Sequence, residues 1–277
     1  MSDDSLSPVR TVDVTRVGPG GAVRTSDRVA AEEPLDVRLH GKSFAIIMRT
    51  PGHDRALAAG FLLSERVIRS ADELGAVEHC RHPDQSRAHH VVDVYLRGDA
   101  AARVPAMLEQ RRNLVANSSC GVCGRATIDE LASDIPPIVT ETTVPVEVIS
   151  QFPDRLRATQ TSFGETGGLH GIALFTTGGD LVTSAEDVGR HNAVDKVFGS
   201  LLLDDLPIPA GVLVVSGRVS FEIVQKAWLA GVPVIVAVSA PTSLAIDLAK
   251  QAGITLLGFV RGQSLNIYTH TARIAGV

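Results

Sequence analysis

Apolar and polar residues alternate along several short segments in the first third of the chain. Leu35–Leu39 and Phe44–Met48 flank His40-Gly41-Lys42, which supplies turn residues, and Val91–Leu96 alternates well. Such alternation is typical of strands that bury one face. With Leu74–Cys80 as a fourth candidate strand, the pattern predicts a small, β-rich N-terminal sheet.

A hairpin and a helix are predicted beside this sheet. The glycine-rich turn Gly18–Gly21 follows alternating valines, which favours a hairpin. Thr50 is the predicted N-cap of a helix and Pro51 its first residue, since proline at that position loses no helical hydrogen bond. Apolar residues then keep an approximately helical spacing from Leu57 to Ile68.

The second half of the chain has a different pattern, in which short continuous apolar runs alternate with amphipathic segments. The predicted strands are Gly171–Thr177, Leu181–Thr183, Val212–Ser216, Val232–Ser239 and Thr255–Val260. The predicted helices cover about Val146–Thr159, Arg190–Leu203, Ser220–Leu229 and Thr242–Ala252. Apolar strands separated by helices favour an α/β fold, with a mixed, mostly parallel sheet and helices on both faces.

Prolines 136, 137 and 145 indicate a linker between the two patterns. We therefore divide the chain into three parts. Residues 1–115 form a smaller α+β domain, residues 116–140 a cysteine loop with the linker, and residues 141–277 the α/β domain.

Composition and charge exclude several classes of protein. Hydrophobic residues make up 44% of the chain and charged residues 21%, which excludes intrinsic disorder. The net charge of −5 gives no overall attraction to nucleic acid or an anionic membrane. The apolar run Val232–Ala240 is too short for a membrane span, and the N-terminus lacks the apolar segment of a secretory signal. We expect a soluble, cytoplasmic protein with neither nucleic-acid nor membrane partners.

Cys120-Gly121-Val122-Cys123 carries the most chemistry in the sequence. Its glycines allow a mobile backbone that can present either sulfur, and nearby cations such as Arg125 favour the reactive thiolate. A covalent sulfur relay, in which one thiolate carries a sulfane sulfur, fits such a loop best. The spacing alone does not separate a relay from a redox pair.

Other interpretations of the cysteine pair lack supporting residues. Structural zinc needs four ligands, and a second CxxC is absent, although His79, Cys80 and His82 could contribute if they folded close. A thioredoxin-type pair would begin a helix after a strand. A zinc deaminase needs H-x-E before P-C-x-x-C, but no histidine here precedes a glutamate by two residues, and Ser119 replaces the proline. The remaining alternative is a turn that contains two cysteines by chance.

Polar clusters with glycine lie at the ends of the strands of the second half, and one of them, Gly167–Gly171, precedes a strand. They are Gly167–Gly171, Glu186–Asn192 with Arg190, His191 and Asn192, Ser216–Arg218 with Arg218, Ser239–Ser243, and Phe259–Ser264. Ligands of open α/β sheets bind at the carboxyl ends of strands, and arginines beside helix starts suit phosphate. Each cluster alone has an ordinary explanation, for example an N-cap at Thr242 or a surface histidine at 191. Together they predict a pocket for a phosphorylated, nucleotide-like ligand.

With these motifs assembled, the chain resembles the FdhD family, the sulfur-carrier accessory proteins of formate dehydrogenase. The most specific parts are Cys120–Gly124 and the block from Glu186 to Lys196. The resemblance also includes Glu33–Leu35, Thr50-Pro51, Gly60–Leu62, Gly168–His170, Ser216–Arg218 and Phe259–Tyr268.

The resemblance implies a cytidine-deaminase-like second domain without the deaminase zinc ligands, and a homodimer. It implies that a cysteine desulfurase loads a persulfide on Cys120, with Cys123 as a helper. The sulfur then passes to the molybdenum bis(molybdopterin guanine dinucleotide) cofactor before this cofactor enters formate dehydrogenase. The implied contacts to this guanine-containing cofactor are Phe259, Val260, Arg261, Gly262, Gln263 and Ser264.

The leading hypothesis from the sequence is therefore a sulfurtransferase acting through a cysteine persulfide. The alternative is a non-catalytic chaperone that holds the molybdenum cofactor. A zinc-stabilised nucleotide hydrolase is a third, more distant possibility. We expect no bound zinc, because zinc would hold the thiolates as closed ligands.

Overall fold

The structure is a computed structural model that describes residues 7–80, 89–113 and 135–277. It begins with a long antiparallel hairpin. Strands β1 (Val9–Gly18) and β2 (Gly21–Ala30) pair along their whole length around the Pro19-Gly20 turn. The predicted hairpin is therefore confirmed. Gly21 has φ 98°, a conformation that glycine adopts without strain.

The N-terminal sheet has the order β4-β3-β6-β5, in which only β3 and β6 run parallel. Its strands are β3 (Glu33–Leu39), β4 (Lys42–Arg49), β5 (Leu74–His79) and β6 (Val91–Leu96). Two helices accompany it, α1 (Asp54–Ser64) and α2 (Gly98–Asn113). The predicted β-rich sheet is confirmed.

The predicted start of the first helix is wrong. Helix α1 begins at Asp54, because Gly52 and His53 both have left-handed backbone angles, with φ of 99° and 56°. Thr50 is not the N-cap. Its hydroxyl accepts a hydrogen bond from the backbone of Val188 instead, at 3.1 Å.

The main sheet has six strands in the order β13-β12-β11-β10-β8-β9. They are β8 (His170–Phe175), β9 (Leu181–Asp187), β10 (Val212–Val215), β11 (Val234–Ala237), β12 (Thr255–Arg261) and β13 (Ser264–Ile267). A two-stranded pair, β7 (Val144–Pro145) with β14 (Ile274–Ala275), lies outside it. The α/β fold with a mixed sheet is confirmed.

The prediction of a mostly parallel sheet is wrong. Only β10–β11 and β11–β12 are parallel, and the other three neighbouring pairs are antiparallel. The reason is the connections: β8 turns directly into β9, and β12 into β13. The helices over Phe221–Leu229 and Ser243–Ala252 join the neighbours β10–β11 and β11–β12, which parallel pairing requires, whereas the helix over Arg190–Leu203 joins β9 to β10, which are not neighbours.

Helices cover both faces of the main sheet, as predicted. They are α3 (Val146–Ile149), α4 (Phe152–Thr159), α5 (Thr161–Thr166), α6 (Arg190–Leu203), α7 (Phe221–Leu229) and α8 (Ser243–Ala252). The single helix predicted over Val146–Thr159 is instead two helices. Pro153 lies in the first turn of the second helix, where its missing N–H leaves no unfilled hydrogen bond.

Alternate residues of the central strands face two separate cores. Leu213 and Val215 belong to the core beneath α6, α7 and α8, whereas Val212 and Val214 face α3 and α4. The first of these cores also contains the apolar side of the N-terminal sheet and α1. The division of the chain into residues 1–115, 116–140 and 141–277 stays a prediction.

Helices α1 and α6 approach each other at two glycines. A Cβ placed on Gly60 would overlap the backbone carbonyl of Asp195, and one on Gly199 would overlap that of Ala56. The two helix backbones are therefore in direct contact. Among the described residues, no helix is long and apolar enough to cross a membrane.

Candidate functional site

Four of the predicted polar clusters lie side by side at one edge of the main sheet. The backbone of Gly171 donates to the Ser216 hydroxyl at 3.0 Å, which joins the start of β8 to the end of β10. A bridge between Val219 and Pro241 joins the loops after β10 and β11. The Phe259 amide then donates to the Ser239 carbonyl at 3.1 Å. The predicted convergence at the strand ends is confirmed for these segments.

Arg190 and Arg218 meet at this edge. The Arg190 Nη1 donates to the Arg218 carbonyl at 2.6 Å, and the Arg190 side chain crosses Gly217 so closely that a Cβ there would lie 2.9 Å from its Cδ. Burial, followed by the Arg218 charge, lowers the pKa of the Arg190 guanidinium. An anion would relieve the repulsion between these two cations.

His170 lies beside this pair of arginines, which we call the cationic group. A Cβ on Gly217 would lie 3.3 Å from the His170 Nδ1, so the imidazole lies beside the Arg190 side chain. Burial and the charges of Arg190 and Arg218 lower the pKa of His170 below its ordinary value. The two guanidiniums favour an anionic ligand such as phosphate, and the half-buried, neutral imidazole can donate a hydrogen bond to it.

His191 and Asn192 make contacts within the protein. The His191 Nε2 lies 2.6 Å from a Glu222 carboxylate oxygen and 3.2 Å from the Ser220 hydroxyl, which joins α6 to the start of α7. The Asn192 amide donates to the Met48 carbonyl at 2.8 Å and to Asp187 at 2.9 Å. These contacts hold the helices and sheets together, and the cofactor contacts predicted for the two residues stay predictions.

The segment Phe259–Ser264 connects β12 to β13 at the same edge. The Phe259 side chain is 42% exposed and its φ of 54° is in the left-handed region, which is uncommon for an aromatic residue. Val260, by contrast, is fully buried in the core, and the cofactor contact predicted for it stays a prediction. Arg261, Gly262, Gln263 and Ser264 are exposed. Their contacts to a cofactor stay predictions.

A buried ion pair connects helix α6 and the end of β9 to the N-terminal sheet. The Lys196 Nζ lies 2.7 Å from a carboxylate oxygen of Asp187, and both side chains are inaccessible to water. Lys196 also donates to the Thr50 carbonyl at 2.8 Å, and Asp187 accepts from the Thr50 amide at 3.2 Å. The sequence analysis gave these residues no role. The sequence indicates such a pair only through Lys196, which lies among the apolar residues of α6, because a buried lysine requires a partner.

Glu186 has a positioning role that the sequence analysis also missed. Its carboxylate accepts hydrogen bonds from the backbone amides of Ser162 and Phe163, at 2.9 and 2.7 Å. These bonds fix the first turn of α5 against β9.

Thr242 lies at the start of α8. Its hydroxyl accepts a hydrogen bond from the Ala245 amide at 3.2 Å, so it acts as an ordinary N-cap.

A cleft of about 510 Å³ opens beside His170. It runs from helices α4 and α5 to the end of β10. Its lining includes Arg157, Gln160, Phe163, His170, Ser216 and Gly217. The cationic group and the cleft therefore share the His170–Gly217 side.

The Cys120 and Cys123 pair lies outside the described residues. Cys80, at the end of β5, is half-buried. Within residues 7–80, 89–113 and 135–277, no group of three or more histidine, cysteine, aspartate or glutamate side chains is placed to hold a metal ion. The expected absence of zinc at the cysteine pair stays a prediction.

The family model of the FdhD/NarQ family matches residues 30–275. The chain belongs to the FdhD/NarQ family. This member is 49% identical over 272 residues to a protein of Streptomyces avermitilis named sulfur carrier protein FdhD, covering 95% of this chain and 94% of that one. A protein of the same name from Saccharolobus solfataricus is 47% identical over 273 residues, covering 96% and 98%.

A solved structure agrees with this membership. The FdhD/NarQ chain is similar, with a TM-score of 0.76 and 25% identity, to a crystal structure from Desulfotalea psychrophila. That protein is provisionally named a formate dehydrogenase accessory protein, and the match covers 97% of this chain and all of the other. The similarity extends across both sheets, so the whole described fold is that of the family.

Proposed function

We propose that this FdhD/NarQ family member is a sulfur carrier for the maturation of formate dehydrogenase. In this proposal it accepts a persulfide sulfur from a cysteine desulfurase on Cys120. It then passes the sulfur to the molybdenum bis(molybdopterin guanine dinucleotide) cofactor, its cargo. The observation that carries the proposal is the 49% identity, over 95% of the chain, to a protein named as a sulfur carrier. We further propose that the protein acts in the cytoplasm as a homodimer, with a cytidine-deaminase-like second half.

The structure supports cargo binding at the strand-end edge. The cargo carries several phosphates, and Arg190 and Arg218, with the neutral His170 beside them, form a cationic group where such phosphates would bind. Such a local group is compatible with a net charge of −5 for the chain. We assign the exposed segment Phe259–Ser264 to the same cargo surface, because it lies at the same edge.

The loading step is a thiol exchange without net oxidation. The Cys120 thiolate attacks the terminal sulfur of the donor persulfide. The sulfur–sulfur bond of the donor breaks and its cysteine leaves as a thiolate, while a new sulfur–sulfur bond forms on Cys120. The sulfane sulfur therefore moves from donor to carrier without being released.

Cys123 serves the second step in this proposal. Its thiolate attacks the inner sulfur of the Cys120 persulfide, which forms a Cys120–Cys123 disulfide and releases the outer sulfur as HS⁻ to the cargo. The two thiols lose two electrons and the sulfane sulfur gains them, so the step balances. A thiol reductant then restores the pair for another cycle.

A second candidate is a chaperone that binds the cargo but carries no sulfur. The cationic group and the cleft favour it, because binding a ligand there requires no thiol chemistry. Maturation of formate dehydrogenase in a host lacking its own carrier separates the two functions. We expect no active enzyme with Cys120→Ala, reduced activity with Cys123→Ala, and wild-type activity with the control Cys80→Ala. Full activity with Cys120→Ala would contradict the relay and support the chaperone.

A further inference from the structure

The hairpin of β1 and β2 forms a long two-stranded ribbon. Its ten residue pairs follow one unbroken register, which corresponds to a length of about 33 Å. Nearly all residues of both strands are exposed, so the described residues leave most of the ribbon uncovered. A two-stranded ribbon is at best marginally stable in water unless a further element covers one of its faces. The ribbon therefore favours a partner that covers it.

The register divides the side chains of the ribbon into two faces. Residues directly opposite each other in an antiparallel pair point to the same side, and successive pairs alternate between the sides. One side, which we call the valine face, combines apolar and charged residues: Arg10, Val12, Val14, Arg16, Val23, Thr25, Asp27 and Val29. The opposite side is mostly polar between its ends: Thr11, Asp13, Thr15, Arg24, Ser26 and Arg28.

The polar side of the ribbon is the one that meets helix α5. Arg28 forms an ion pair with Glu165 in that helix. A Cβ on Gly168, just after α5, would lie 3.4 Å from the Cβ of Ala30, which shares the side of Arg28. The valine face is therefore directed away from α5.

The valines on the other side are open to solvent. Val23 is 62% exposed and Val12 is 37% exposed. Several exposed apolar side chains on one face, together with charged residues, are typical of a surface that binds another protein. The charges on the face indicate which protein this is.

A second copy of the valine face complements these charges. Val14 lies in the middle pair of the face, opposite Thr25; Arg16 lies one pair nearer the turn, and Asp27 one pair nearer the base. Two ribbons that pack antiparallel about a two-fold axis at Val14 place each Arg16 over the pair that contains the partner's Asp27. The contact then occurs twice, as a two-fold interface requires. Parallel packing would instead bring the two Arg16 side chains to the same level as like charges.

The ends of the face fit the antiparallel arrangement in the same way. The pair of Arg10 and Val29 at the base then faces the partner's pair of Gly18 and Gly21 at the turn. These glycines have no side chains, so they leave room for the two larger residues.

We propose that the valine face is the surface through which two copies of this chain associate, with their hairpins antiparallel and Val14 at the two-fold axis. The inference rests on the proposed function, which includes a homodimer. It deepens that function by assigning the surface and the relative direction of the two hairpins. The occupant is a second copy because the face is complementary to itself in charge and in the position of its glycines.

Sedimentation equilibrium of the full chain tests the association. We expect the wild type to sediment with twice the mass of one chain. Arg16→Glu places a carboxylate beside the partner's Asp27 and should raise the dissociation constant of the dimer about tenfold or more. The double variant Arg16→Glu with Asp27→Arg exchanges the two charges and should return the constant close to its wild-type value. The matched control is Arg24→Glu on the opposite side of the ribbon, which should associate normally.

Chemical cross-linking tests the direction of the hairpins. The cross-linker is a bismaleimide that spans about 10 Å, the spacing of packed sheets. In a chain that lacks Cys80, Cys120 and Cys123, Val14→Cys should cross-link two copies. Gly20→Cys lies at the turn, where an added side chain meets open space. In antiparallel packing it is about 30 Å from its counterpart and should not cross-link, whereas parallel packing would bring the two turns together.

Three results would overturn the proposal: a monomeric wild type, an Arg16→Glu chain that associates as tightly as the wild type, or cross-linking at position 20 as efficient as at position 14. If Arg16→Glu stays dimeric but no longer supports maturation of formate dehydrogenase, the valine face binds a different protein and the proposal is also wrong.

Sulfur loading of Cys120, measured by mass on the same proteins, is independent of these results. A dimeric wild type that accepts no sulfur would contradict the sulfur carrier and leave the interface standing. A monomer that accepts sulfur would contradict the interface alone. Failure of the interface and failure of the sulfur carrier are therefore distinguishable.

Discussion

The ammonium group of Lys196 lies 2.7 Å from the carboxylate of Asp187 in a contact from which water is excluded. Both groups also bond to the backbone of Thr50, which directly follows β4. The pair therefore attaches the N-terminal sheet to the helix whose first residue is Arg190. The position of the cationic group depends on this attachment.

We predict that Lys196→Met destabilises the fold by about 3–5 kcal/mol, because it leaves the Asp187 carboxylate buried without its cation. Urea unfolding followed by circular dichroism measures this difference. The control Lys250→Met removes an exposed partner of Asp247 at 3.7 Å and should cost less than about 1 kcal/mol. Equal effects of the two substitutions would contradict the structural role of the buried pair.

The glycine contact between α1 and α6 gives a second prediction. Gly60→Ala would place a methyl group against the backbone of Asp195, and we expect it to cost about 3 kcal/mol of stability. Gly164→Ala, in the short helix α5, meets open space and should be neutral or stabilising by up to about 1 kcal/mol. Thermal unfolding of both variants checks the difference. A Gly60→Ala protein as stable as the wild type would show that the helices are further apart.

The lowered pKa of His170 predicts that the stability of the fold depends on pH. Burial and the neighbouring arginines lower its pKa in the folded protein, so the unfolded chain binds the proton at a higher pH, about 6.5. The free energy of unfolding should therefore fall as pH decreases below about 6.5, until pH reaches the folded pKa. His170→Asn removes this contribution. The stability of the wild type minus that of the variant should decrease from about pH 7.5 to about pH 5.5. A constant or growing difference would contradict the lowered pKa.

The cationic group predicts that replacing its arginines weakens the binding of a nucleotide. Arg190→Ala and Arg218→Ala should each weaken GDP binding about ten- to a hundredfold, the effect of losing a charge-assisted hydrogen bond. Arg261→Ala should do the same if Phe259–Ser264 contacts the same ligand. Arg24→Ala, on the exposed hairpin strand β2, is the control and should bind normally. Unchanged GDP affinity in the Arg190, Arg218 and Arg261 variants, with folding intact, would show that the cargo binds elsewhere on the protein.

Much of the fold could be predicted from local pattern. Helix α6 was predicted with its observed bounds, because a glycine precedes it and its apolar residues recur at helical spacing. The direction of the strands could not be predicted in the same way. A strand buried on both faces, such as β8, is a continuous apolar run whether its neighbours are parallel or antiparallel.

The candidate site was predictable only in outline. The clusters at the strand ends follow from the α/β pattern, and the structure brings them to one edge. The role of Asp187 was not predictable, because it depends on contacts that spacing does not encode. Asp187 binds Thr50, which is 137 residues away in the chain.

The measurement that tests the central proposal most directly is the mass of the protein after incubation with a cysteine desulfurase and cysteine. We predict an added mass of about 32 Da, one sulfur atom, on the peptide that contains Cys120. The adduct should persist in Cys80→Ala and disappear on treatment with a thiol reductant. An unmodified wild-type protein, or an equal adduct in Cys120→Ala, would contradict the assignment of this chain as a sulfur carrier acting through Cys120.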